Sequence, residues 1–144
     1  MATVSYWTNR GRQLLATTDF DAIDFRAALI KAEVVEATGA DYNFISEFIA
    51  SSNEADCTGY ARSDIAAPTV TESDANNRVD AVWSDIAWGA LGGAANCALA
   101  QVVIYRHNAS DSAAEAIAVL GGATLPFTSN GSTVTTTAPT LRIA

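Results

Sequence analysis

The chain is short of the residues on which most catalysis and most nucleic-acid recognition depend. It has one histidine, His107, one lysine, Lys31, and two cysteines, Cys57 and Cys97. Zinc takes about three or four protein ligands, so one imidazole and two distant thiols make a poor set. Two cysteines do not amount to the disulfide framework of a small secreted domain. They read as two small buried thiols, with a single bridge between them as the alternative. No apolar run approaches the roughly 18 residues that a membrane span requires. The opening, Met1 to Tyr6, has neither a charged n-region nor an apolar h-region. The expectation is a protein made in the cytoplasm that stays soluble, with no membrane partner. Positive charge is scarce as well, with 8 basic residues against 16 acidic ones and a net charge of −8. Such a surface repels phosphate backbones, which argues against a nucleic-acid partner.

What the chain does have is enough apolar material for a core. Hydrophobic residues make up 49% of 144, and a chain of this size buries roughly two-thirds of its extended surface on folding. Residues 1–144 are expected to form a single domain, with 1–18 as an N-terminal arm or lead-in. The second half is rich in Thr, Val, Ile and Ala, broken by Gly, Asn, Asp and Ser. Short β-prone runs between turn residues point to a mainly β fold, an antiparallel β-sandwich or jelly roll of about eight short strands.

A short helix is expected within Tyr6–Ala16, ending near Thr17, although Gly11 costs such a helix about 1 kcal/mol relative to Ala. Asp24–Ala32 alternates like a strand, with Phe25, Ala27 and Leu29 on one face. Asp41–Ala50 carries Phe44, Ile45, Phe48 and Ile49 at helical spacing, and Asp41 is placed to cap it. Further strands are expected near Cys57–Ser63, Thr69–Thr71, Arg78–Trp83, Ile86–Gly89, Ala98–Arg106, Ala116–Leu120, Ser132–Thr137 and Thr140–Ile143. Val102, Val103 and Ile104 in a row mark the 98–106 strand as central and covered on both faces. Asn130-Gly131 is a type I′ turn signal, and Asn76-Asn77 and Ser84-Asp85 are weaker ones.

Candidate chemistry is thin. Asp19, Asp21 and Asp24 form an acidic cluster, but a calcium-binding EF-hand loop needs Gly at about its sixth position and Glu at its twelfth. Asp24 and Ile30 stand there instead. His107 lies near Ser110 and Asp111, and triads are recognised by geometry rather than chain order. There is no Gly-x-Ser-x-Gly elbow to support one. Gly89 to Gly93 matches neither phosphate-binding fingerprint. The two Asn-x-Ser sequons at Asn108 and Asn130 read as accidental. No catalytic residue, metal or cofactor is expected. Trp83 and Trp88 are read as core plugs. Tyr6, Trp7, Arg10 and Arg12 combine the residue types enriched at interface hot spots on what looks like a terminal arm. They are the candidate docking residues, with packing back onto their own domain as the alternative.

The order of these features resembles a known family. NRGRQLLATTDFDAIDFRAALI is similar to the opening of small structural proteins of tailed bacteriophages, in which a basic lead-in precedes an acidic turn and a strand. YNFISEF matches a Tyr-x-Phe…Glu-Phe segment, Tyr60-Ala61-Arg62 a following strand, and AQVVIYRH a central strand. Phe127 to Gly131 is similar to the turn before the final strands. Asp80 to Trp88 resembles a further region, although Ala81, Val82 and Trp83 depart from it. Within that class the chain looks most like jelly-roll capsid cement or decoration proteins. The resemblance implies a virion protein on the capsid surface, with the major capsid protein as partner and a homo-oligomer on the shell. Three rivals stand beside it. One is a tail or head–tail connector component; another is a carbohydrate- or receptor-binding module using Trp7, Trp83 or Trp88 in an exposed row. The third is a jelly-roll hydrolase or cupin.

Overall fold

The computed structural model of the protein describes residues 5–17, 20–122 and 125–143. The chain is mainly β. Among the described residues there are twelve strands, several antiparallel sheets and three short α-helices. The order is β1 (Tyr6–Trp7), α1 (Asn9–Thr17), β2 (Phe25–Ile30), α2 (Glu36–Gly39), α3 (Ile45–Phe48), β3 (Ser63–Ile65), β4 (Thr69–Ser73) and β5 (Arg78–Val82). Then follow β6 (Ile86–Leu91), β7 (Ala98–Leu99), β8 (Gln101–Arg106), β9 (Ala116–Leu120), β10 (Phe127–Thr128), β11 (Ser132–Thr136) and β12 (Thr140–Ile143).

A five-stranded sheet, ordered β1-β9-β8-β2-β3, is the centre of the molecule. Its strands alternate as the pleat requires. Phe25, Ala27 and Leu29 of β2 join Val102 and Ile104 of β8 in one apolar cluster. Ala28 and Ile30 join Val103 and Tyr105 in another. The first cluster is completed by Ala81, Ile86, Trp88, Leu91, Val134 and Leu141 from the smaller sheets β12-β5-β4 and β11-β6, and by Trp83 from the connection between β5 and β6. The second is completed by Ile45 and Phe48 of α3, with Val34, Tyr42 and Ile49 packed against it. The central sheet is therefore covered on both faces, as the apolar run in β8 foretold.

Several local expectations need correcting. The strand count exceeds eight because two-residue pairings were invisible and because the 98–106 segment changes partner at Ala100. There β7 pairs with β10 and β8 pairs with β2. The 41–50 helix shrinks to one turn, Ile45–Phe48, because Phe44 is extended and bridges Glu115. Its cap is Glu47, whose carboxylate accepts from the N–H groups of Asn43 (2.7 Å) and Phe44 (2.9 Å), while Asp41 instead takes the Asn9 side-chain amide (2.9 Å). Cys57–Ser63 turns rather than extends; Gly59 takes a positive φ of 81° there.

The turn signals also redistribute. Asn130-Gly131 joins no hairpin, since β10 pairs with β7 and β11 with β6, and Gly131 alone of the two has positive φ. The weaker Asn76-Asn77 signal turns the β4–β5 hairpin, with Asn77 left-handed at φ 54°.

Candidate functional site

The four docking candidates do not form an exposed arm. Tyr6 and Trp7 make β1, which pairs antiparallel with β9 through Tyr6↔Val119 and Trp7↔Ala118. They are 3% and 2% exposed. Successive side chains of a strand point to opposite faces, so Tyr6 enters one core cluster and Trp7 the other. The Tyr6 hydroxyl donates to the Val34 carbonyl (2.6 Å), and burial pushes its pKa well above the ordinary phenol value. The Trp7 ring lies 5.9 Å from Trp83 and 6.4 Å from Phe20, inside an aromatic group that also holds Phe25. This corrects the arm reading for Tyr6 and Trp7, because an edge strand of the central sheet absorbs them.

Thr8 then starts α1. Its hydroxyl accepts from the Gly11 N–H (2.8 Å) and donates to the Ala116 carbonyl (2.7 Å), capping the helix and tying it to β9. Arg10 and Arg12 face outward from this helix. Arg10 Nε donates to Glu115 (2.7 Å), and Arg106 reaches the same carboxylate from the other side at 3.2 Å. Arg12, with its side chain 49% exposed, stands 4.0 Å from Glu36.

The remaining candidates disperse. Trp83 and Trp88 are buried as core plugs, and Trp88 Nε1 donates to the Ala61 carbonyl (3.0 Å). With Trp7 also buried, the three tryptophans offer no stacking row for a sugar. The Ser110 and Ser112 hydroxyls pair with each other, and both oxygens of Asp111 are taken by Arg62. Exposed His107 therefore has no triad around it. Asp19 lies outside the described residues, as does the Asp21 side chain. Among the described residues, no group of three or more metal-ligating side chains gathers.

What the structure does assemble is a brace around Arg62, at the end of the central sheet. Its Nε and Nη2 grip Glu54 at 2.6 and 2.7 Å, and Nη1 and Nη2 grip Asp111 at 2.6 and 3.0 Å. Nη1 also reaches the Tyr105 hydroxyl at 3.4 Å, and the guanidinium lies 5.5 Å from that ring. An arginine has five N–H donors in a fixed fork, and here all are engaged. Tyr60 donates to Glu54 (2.9 Å) and accepts from the Leu29 N–H (3.2 Å). Burial, then the Glu54 charge, pushes the Tyr60 phenol up, while the Arg62 hydrogen bond holds the Asp111 carboxyl below its usual range. These groups tie together β2 at Leu29, Glu54, the 60–62 segment and the 105–111 segment. Sequence reasoning missed the brace because Arg62 and Asp111 are 49 residues apart and no local pattern joins them.

The same pairing extends over the whole surface. Arg10 and Arg106 share Glu115; Arg78 and Arg142 share Asp80; Arg12, Arg26 and Lys31 meet Glu36, Asp64 and Asp56. With Arg62, that accounts for all 8 basic residues. Exposed carboxylates at Asp24, Glu33, Asp41, Glu72, Asp74 and Asp85 have no cationic partner among the described residues. A groove of ≈430 Å3 between Gly121, Gly122 and Leu125 on one side and Thr135–Thr140 on the other is lined, among the described residues, by Ser, Thr, Gly, Ala, Leu and Pro, without an ionisable side chain. The chain matches no family model, no curated protein and no solved structure.

Proposed function

We propose that the protein is a non-catalytic structural component of a tailed-bacteriophage virion. In this reading it is a cement or decoration protein that binds the outer surface of the major capsid protein and stabilises the shell. The observation that carries the proposal is the internal pairing of every lysine and arginine on a mainly β scaffold. Ion pairs across segments stiffen the scaffold, and the leftover acidic charge keeps an outward face soluble and clear of nucleic acid. The sequence motifs described above support the same class. Many copies on a symmetric shell then turn modest single contacts into firm attachment. Docking falls to neutral and acidic surface together with exposed Arg12, since Tyr6 and Trp7 are inside.

The test is co-sedimentation of the full chain with expanded capsids that lack it. Saturation at a fixed ratio of copies to capsid subunits is the expected result. Failure to bind, or binding at a single vertex, overturns it.

One feature favours the tail or connector alternative. In β4, Thr69 to Glu72 are exposed, Val70 is 42% exposed, and among the described residues β5 alone pairs with the strand. An open strand edge of this kind is a template for pairing with another chain. Rings or tubes formed by the purified protein would support that alternative.

A further inference from the structure

The sequence leaves the two cysteines as free thiols or a bridge, and the structure brings them together. Both are buried and unbridged, at 5% and 8% exposure. Cys97 and Ser129 both act on the ionisation of the Cys57 thiol, which places the three side chains in one neighbourhood. The surrounding backbone already holds them in place. Thr58 N–H donates to the Ala95 carbonyl (3.0 Å), and Ala95 N–H returns a bond to the Thr58 hydroxyl (3.0 Å). Gly92 N–H donates to the Thr58 carbonyl (2.8 Å). On the other side, Cys97 N–H donates to Ser129 Oγ (2.9 Å), and Ser129 N–H donates to the Cys97 carbonyl (2.9 Å). The turn is tight enough that a Cβ on Gly92 would run into Asn96 and Ser129. Only a thin cover separates the thiols from solvent, since Thr58, Gly59, Ala95 and Asn96 are exposed.

We infer that Cys57 and Cys97 are a modification site: a dithiol that closes to an intramolecular disulfide when it meets an oxidised low-molecular-weight disulfide. One protein thiolate attacks the small disulfide, forming a mixed disulfide and releasing one small thiolate. The second protein thiolate attacks the protein-side sulfur of that intermediate and releases the other. Two protein thiols lose two electrons, the reagent gains them, and the two protons leave with the two small thiols. The segment between the cysteines contains β3, β4, β5 and β6. The bond therefore staples the base of the loop that carries the exposed β4–β5 hairpin. Burial keeps the Cys57 thiol protonated, and the thiolate is the reactive form, so closure is slow at neutral pH and faster as pH rises.

The experiment uses the full native chain in buffer without denaturant, incubated with oxidised glutathione, alkylated with iodoacetamide and read by intact mass and peptide mapping. The expected product is a monomer that has lost two hydrogens, takes up no alkyl group, and yields a cross-linked peptide pair containing Cys57 and Cys97. Its thermal midpoint should rise by roughly 10 °C and return on addition of dithiothreitol. Both cysteines remaining alkylatable, a stable glutathione adduct without the bridge, or a disulfide-linked dimer would each overturn the inference.

Discussion

The central sheet and the outlying β4–β5–β12 sheet draw on similar residues and end in opposite states. In β8 and β9 the residues 101–105 and 116–120 are all at 1% exposure or less. In β4 a run of Thr, Val and Glu lies open to solvent. Val70 and Val103 have the same β preference, yet one is 42% exposed and the other 0%. The difference lies in what covers each strand. Both faces of β8 meet an apolar cluster, whereas β4 sits at the edge of its sheet. β-propensity is thus a statement about fitting a pleated surface, and burial is decided by partners far away in sequence.

Substitutions should separate these two regions by the size of their effect. The largest belongs to Ile104→Ala, which removes a fully buried side chain between β2 and β9. A loss of about 3 kcal/mol is expected in urea denaturation, in line with large-to-small core changes. Gly11→Ala comes next, at about 2 kcal/mol, because a Cβ there would run into the Ile117 carbonyl and push α1 off β9. Here the ordinary helix gain of Ala over Gly should be overwhelmed. A more stable protein by the same measurement would mean that α1 does not lie on the strand.

The acid limb of stability sharpens the comparison further. The Asp111 carboxyl is held low chiefly by its hydrogen bond from Arg62, with burial opposing. A depressed carboxylate adds stability above its unfolded pKa of about 3.9, and that stability is lost as pH falls through the folded value. Asp111→Asn should therefore flatten the fall in unfolding free energy below about pH 4. In the outlying sheet Asp80 is lowered first by Arg142, whose side chain is 51% exposed. Solvent screens that pair, so Asp80→Asn should flatten the same curve less. Equal flattening would erase the distinction. Smallest of all, Val70→Thr should leave the unfolding free energy within about 0.5 kcal/mol of wild type. Because it weakens an apolar spot on the open edge, light scattering of concentrated samples is its more sensitive readout.

The legible parts of the fold were those with a local period. Alternation in 25–30, continuous apolar runs in 102–105 and 116–120, and the short helix ending near Thr17 all found their elements. A two-residue strand has no period, so Tyr6 and Trp7 looked like an arm when they are core. Gly11 was visible only as a helix cost, since the strand carbonyl that demands it comes 106 residues later (117 − 11). The helical spacing at 44–49 was real, but the bridge from Phe44 to Glu115 cut that helix to one turn. The Arg62 brace was illegible for the same reason as Gly11: its partners are assembled by the sheet.

The pairing of every cation has a consequence for how copies of the protein treat one another. With the positive groups neutralised internally, the outer field is set by open carboxylates such as Glu33, Glu72 and Asp74. Two copies brought nearer than the Debye length, about 8 Å at physiological ionic strength, share a cloud of mobile counter-ions. A dense layer of these molecules would thus behave as a soft polyanion. It should swell in dilute buffer and draw together as salt or a divalent cation fills the gaps between neighbours.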